Sequence, residues 1–315
     1  MRNFVCRKGV IQSGLIVGLG LLSVAGARAQ DVGGKARESS LMMLDPTEKV
    51  WSLQVTSKSH LTVQKGDVVV NSTHKGALWI ADGTIEALDG QIRDVGGVTN
   101  MGKTVPKPAP VIGAAPEEDP IPEFLIPPPG REISREMLSV NYEAEATLTP
   151  GIYSGGIHIV GNDSVITLQP GVYVMNGGDF FVSGALVQGK GVTIVMSGAK
   201  PGMFWIAGNA RLDLSAPTEG SLKNLLVVSR SEGWNKLQFS SAKGRFKGLI
   251  YAPKAGVGVS GSDLTFDRLI CANLGLTLEA NVQITGEPVP VTPADAADAA
   301  DGKEAPGDAL KANVQ

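Results

Sequence analysis

Side chains capable of chemistry are sparse in this chain of 315 residues, and they do not gather along it. Hydrolysis of a glycosidic bond takes two carboxyl groups about 5 to 9.5 Å apart around a sugar, and eliminating lyases use calcium-binding acids beside a base. Asp163, Asp179, Asp213, Asp263 and Asp267 are spread over separate stretches, and only Asp263, Asp267 and Arg268 make a compact set. That trio is the candidate acidic and basic cluster for a polysaccharide lyase or glycoside hydrolase. His60, His74 and His158 have no companions at metal-ligand spacing and read as exposed strand residues, so neither a metal nor a cofactor is expected. Gly177-Gly178 and Gly189-Lys190-Gly191 lack the strand-to-helix setting of a phosphate loop and read as turns. No catalytic residue is assigned.

Binding offers a second chemistry. Trp79, Trp205 and Trp234 carry flat rings that can stack on sugars. Trp205, between Phe204 and Ile206, is expected to pack inward. Trp234, in the polar stretch Ser229 to Lys236, is expected at an exposed tip with Arg230, Asn235 and Lys236, and these four are the candidate binding residues.

The elements that position these groups follow from a period. Leu148-Thr-Pro-Gly-Ile-Tyr153, Leu168-Gln-Pro-Gly-Val-Tyr173 and the looser Gln188-Gly-Lys-Gly-Val-Thr193 place Gly151, Gly171 and Gly191 20 residues apart. A path of that length makes a few short strands and turns, and stacking such paths pairs each strand with its copies above and below. The spacing predicts an all-β right-handed parallel β-helix, a solenoid of roughly 20-residue coils, with about six or seven after the linker. A second phrase marks corners: Ile159-Val-Gly-Asn162, Ile206-Ala-Gly-Asn209, Val259-Ser-Gly-Ser262 and Leu278-Glu-Ala-Asn281. A third register, Phe204 to Ala207, Leu225 to Val228, Leu249 to Ala252 and Leu269 to Ala272, advances by 21, 24 and 20 residues, and the long interval contains Ser229 to Lys236. Insertions in a solenoid map to a loop on one side. Twenty residues also separate Tyr251 from Cys271, which is therefore expected to replace that tyrosine in the stack and to be structural.

Residues 1–29 read as a signal peptide, with Arg2, Arg7 and Lys8 before an apolar run and Ala27-Arg28-Ala29 as a cleavage site. Then come a short linker over 30–40, opening strands or coils over 41–97, a Pro-rich linker over 98–135, the main β-helix over 136–286 and a disordered acidic Ala/Pro-rich tail over 287–315. Phe124, Leu125 and Ile126 give the Pro-rich linker something to bury, while Glu117, Glu118 and Asp119 read as a solvated acidic loop. Loss of residues 1–29 leaves 24 basic against 31 acidic residues, a net charge of −7, which argues against nucleic acid and anionic membrane as partners. A membrane association would require the amino-terminal segment to be retained. The location expected is outside the cytoplasm: periplasm, cell surface or medium.

The mature chain resembles the bacterial exported β-helix proteins of the Flp (tight-adherence) pilus-assembly or pilin-like type, of planctomycete character. The likeness rests on Val68-Val-Val-Asn-Ser72, Asp119-Pro-Ile-Pro-Glu-Phe-Leu-Ile-Pro-Pro128, the Leu-x-Pro-Gly-x-Tyr pair, and Gly248-Leu-Ile-Tyr-Ala-Pro253 leading to Val259-Ser-Gly-Ser262. It implies a right-handed β-helix with no assigned enzyme activity, so no catalytic residues carry over. Phe246-Lys-Gly-Leu-Ile-Tyr-Ala252 is also similar to a phrase of ice-binding β-helices, although Thr167, Thr193, Thr265 and Thr277 form no evident ladder. The leading expectation is a non-enzymatic structural or adhesive protein of the cell envelope, possessing surface proteins or polysaccharide as partners. A polysaccharide-cleaving enzyme is the alternative, and an ice- or carbohydrate-binding module the third reading.

Overall fold

A computed structural model describes residues 38–121, 130–142 and 145–287. The expected signal peptide, the Phe124 to Ile126 part of the linker and the tail beyond Glu287 lie outside the described residues. These contain strands and no helix, and every strand pairing is parallel. The chain winds as a parallel β-solenoid with three sheets, here faces A, B and C, each coil contributing one strand to each face. On face C, Leu148, Leu168, Gly189, Leu214, Phe246, Phe266 and Ile284 lie in one register. The period read from the sequence is therefore one rung of the stack.

Alternation decides which residues enter the core. In Phe204–Ala207, Phe204 and Ile206 are buried while Trp205 and Ala207 point out. Buried phenylalanines form an axial column: Phe180 stacks on Phe204 with ring centroids 5.2 Å apart, and Phe239 meets both Phe246 and Phe266 at 5.5 Å. Tyr153 and Tyr173 stack within the same core at 6.1 Å, and Tyr173 Oη donates to the carbonyls of Leu148 and Gln169. The Pro-Gly phrase is a stacked turn. A Cβ on Gly171, which has φ +136°, would lie 2.6 Å from the Pro150 ring below it, so a side chain there would drive the coils apart.

The order of stacking differs from the order of the sequence. The coil of Ser39–Met43, Leu53–Thr56 and His60–Val63 stacks on the last described coil of the main solenoid, with Leu41 opposite Leu269, Leu53 opposite Leu274 and His60 opposite Asn281. The next coils, reaching Val111–Ile112, continue away from it. The chain thus begins inside the stack, builds one end, and crosses to the other end at Glu132–Ser134 before winding back. The opening strands expected ahead of the main helix lie beyond its carboxy-terminal coil, because matching inward rows, not chain order, decides which coil edge is covered.

The crossing runs over face A. Outward residues there form a nearly dry ladder, Val174, Val195, Val228, Tyr251, Ile270, Met42 and Val69. Ile121 packs into it. Tyr251 Oη bonds both Asp119 Oδ2 and the Ile121 carbonyl at 2.7 Å, and burial with the adjacent carboxylate pushes its pKa upward. Glu117 pairs with Arg93 and exchanges hydrogen bonds with Asn71 and Ser39. Two members of the acidic run read as solvated are therefore anchors of a strap. A bulge between Phe246 and Leu249 also shifts register, so that Cys271 lies opposite Ala252 and Ile270 opposite Tyr251. Cys271 points inward, fully buried, and burial raises its thiol pKa, which agrees with a structural role but not with substitution for Tyr251.

Candidate binding face

The acidic and basic cluster does not assemble. Asp263 is exposed on face C and accepts a hydrogen bond from Asn281. Asp267 sits past the next corner, holding the Gly248 amide and the Thr285 hydroxyl at 2.8 and 2.9 Å. Arg268 begins face A and pairs with Glu38. The corner separates what sequence spacing had joined. Asp263 instead shares a shallow, open groove with Glu279 and Lys243, and the groove over face C between Thr167 and Lys247 holds one carboxylate, Asp213. Among the described residues no group of three or more His, Cys, Asp or Glu side chains could hold a metal ion. The histidines are dispersed as expected, but His74 lies in a turn, where its Nδ1 accepts the Gly76 amide.

Face B carries a different arrangement. Its strands place inward rows such as Phe180–Phe204 and Leu274–Leu53 against the core, so the intervening residues stand outward in register. Read along the axis, one outward ladder is Ser139, His158, Phe181, Trp205, Gln238, Gly258, Gly275, Gln54, Trp79 and Thr99. Its central six residues read Trp, Gln, Gly, Gly, Gln, Trp. Rungs spaced ~4.8 Å put the two tryptophans about 24 Å apart. Trp205 is 41% exposed, correcting the inward packing expected of it, since strand alternation turns it opposite to its apolar neighbours.

Aromatic neighbours extend both ends. His158, Phe181 and Trp205 form a run with centroids 5.5 and 4.8 Å apart. At the other end Trp51, on the preceding corner, meets Trp79 edge to face at 5.5 Å. Between them the two glycines leave a floor without side chains, and the register neighbours Gln238 and Gln54 border it.

The predicted insertion forms the wall of this floor. Gly233 pairs with Ala255 and Leu237 with Val257, so Trp234, Asn235 and Lys236 occupy a bulge at the corner between faces A and B. Trp234 is 46% exposed, and Lys49 from the stacked amino-terminal coil places its Nζ 4.9 Å from the ring centroid. Asn235, at φ +52°, brings its Oδ1 to within 3.0 Å of where a Gly258 Cβ would lie. The structure thus joins Trp234 and Asn235 to the face, with Lys236 in the same bulge; Arg230 is exposed before it.

Charge distinguishes this face. Asp179 and Lys236 stand at its corner edge, and between the corners His158 is the only ionisable side chain directed outward. On face C, by contrast, Asp213 lies opposite Arg245, Lys243 opposite Asp263 and Glu86 opposite Lys107.

Comparison with protein-family models, with curated proteins and with solved structures finds no match.

Proposed function

We propose that this is a non-enzymatic, exported β-solenoid of the cell envelope that serves as a structural and adhesive component, with face B as its contact surface. The observation carrying this reading is the flat, rung-spaced aromatic and amide ladder of face B. Its repeat is that of the scaffold, so it suits a partner that is itself extended and regular. The candidate acids lie on other faces and corners, in open grooves, whereas cleaving a glycan takes a pair of carboxyls enclosing one sugar. The likeness to pilus-associated exported β-helices supports the same reading, and a surface location suits residues 1–29 as a signal.

The test is fractionation of the source bacterium combined with adhesion and turnover assays. The tagged protein is expected in the envelope or medium with residues 1–29 removed, and its deletion is expected to reduce attachment to surfaces. Retention in the cytoplasm, or release of reducing ends from polysaccharides by the purified protein, would overturn the proposal.

A further inference from the structure

Resting on the adhesive reading of face B, we propose that the ladder Trp205, Gln238, Gly258, Gly275, Gln54, Trp79 is a binding site for an uncharged polysaccharide chain lying along the solenoid axis. Four observations define the chemistry. The sugar-sized planes of Trp205 and Trp79 stand outward at the two ends, where CH groups of a pyranose stack on the ring face. Gln238, Gln54 and Asn235 place amides beside the floor, each able both to donate to and to accept from a hydroxyl. The floor is glycine at two successive rungs, and glycine inside a strand marks a place where another chain approaches the backbone closely. A pyranose unit in an extended glycan advances by nearly one rung, so successive sugars meet successive strands.

A second, buried feature points the same way. Asn273, 1% exposed, has neither its side-chain oxygen nor its nitrogen in a hydrogen bond among the described residues. A Cβ on Gly256 would lie 2.5 Å from Asn273 Oδ1 and 3.1 Å from the Asn235 amide nitrogen, so this amide lies on the side of Gly256 covered by the Trp234 bulge. It gives the trough wall a polar group with hydrogen-bonding capacity to spare.

Charge selects the class of ligand. A stacking ladder also suits the bases of a single-stranded nucleic acid, but such sites line the backbone path with cations, and face B has none between its corners. Uronic acid polymers fail on the same ground. The neutral glycans that remain are distinguished by hydroxyl geometry and tested directly.

The experiment is titration of the purified chain with cellohexaose, chitohexaose and laminarihexaose by calorimetry, with co-sedimentation on the parent polysaccharides and polygalacturonate as the anionic control. At least one neutral glycan is expected to bind and polygalacturonate to fail. Trp205→Ala and Trp79→Ala are each expected to weaken binding ten-fold or more, and Gly275→Leu to abolish it by filling the floor. Trp234→Ala is expected to weaken it less. Both tryptophans are exposed or half-buried on the outer surface, so unchanged thermal midpoints check that the variants fold. No binding of any neutral glycan, binding undiminished in a folded Trp205→Ala, Trp79→Ala double variant, or a dimer that dissociates on Trp205→Ala would each overturn the proposal. The adhesive reading survives that failure if deletion still reduces attachment, and falls separately if the protein is cytoplasmic.

Discussion

The join between the amino-terminal coils and the carboxy-terminal end of the solenoid creates the central ladder of face B, and a designed disulfide tests it. Gln54 and Gly275 are register partners on adjacent parallel strands and point outward together. Adjacent strands lie about 4.8 Å apart, within the Cα separation of about 4.4 to 6.8 Å that a disulfide spans. The added side chain at position 275 has room, because its nearest neighbour would be Gln54 Oε1 at 3.8 Å, itself removed by the substitution. Gln54→Cys with Gly275→Cys is therefore expected to oxidise spontaneously, while buried Cys271 stays out of the exchange. The loop closed is about 220 residues long, for which chain entropy gives a stabilisation of ~5 kcal/mol as an upper figure. The assays are electrophoresis without reductant, mass spectrometry of the linked peptides and urea unfolding with and without reductant. Trp79→Cys with Gly275→Cys is the control, being two rungs apart, ~10 Å, and unable to bridge. Failure of positions 54 and 275 to link in air, or equal linking of the control pair, would refute the permuted stacking and with it the ladder.

Further perturbations probe the core, the strap and one buried acid. Phe239→Ala, at a wholly buried position touching Phe204, Phe246 and Phe266, is expected to cost about 3 to 5 kcal/mol in urea unfolding, against less than ~0.5 kcal/mol for Leu278→Ala at an exposed corner. Tyr251→Phe removes the hydroxyl bonded to Asp119 and Ile121 and is expected to cost about 1 to 3 kcal/mol, with faster protease cleavage between residues 113 and 130 as the local readout. Burial raises the Asp94 carboxyl to about 6 from its ordinary 3.8, although the Gly96 amide opposes the shift. Because the folded state binds this proton more tightly, stability is expected to fall as pH rises from 4 through about 6 and to level off above it. Asp94→Asn should flatten that part of the urea-midpoint profile, and an unchanged profile would contradict the burial argument.

Much of the fold was legible because it is built from local, repeated rules. The Pro-Gly turns at Gly151 and Gly171, the inward columns of Phe and Leu, and the 20-residue rung all follow from steric limits at corners and period-2 alternation, which act within one coil. The insertion at Trp234 was equally visible as a departure from the period. Trp205 shows where local reading misleads: its apolar neighbours suggested burial, yet those neighbours must alternate to the opposite side. The pair Asp263 and Asp267 fails for a related reason, since a corner between them turns their side chains onto different faces.

The candidate site itself was decided by tertiary structure. Trp205, Gln238, Gly258 and Gly275 could be aligned from the period alone, but Gln54, Trp79, Trp51 and Lys49 join them only because the first described coil caps the last. Any solenoid edge of suitable width and row pattern can accept either neighbour, so the sequence specifies coils without specifying their order. Covering the exposed edge of the Asp263–Thr277 strand, and burying the outer apolar ladder of face A beneath the crossing strap, selects that order. The sequence by itself determined the coil; the free energy of burying edges between segments more than 200 residues apart determined which coils meet, and so brought the two halves of the face together.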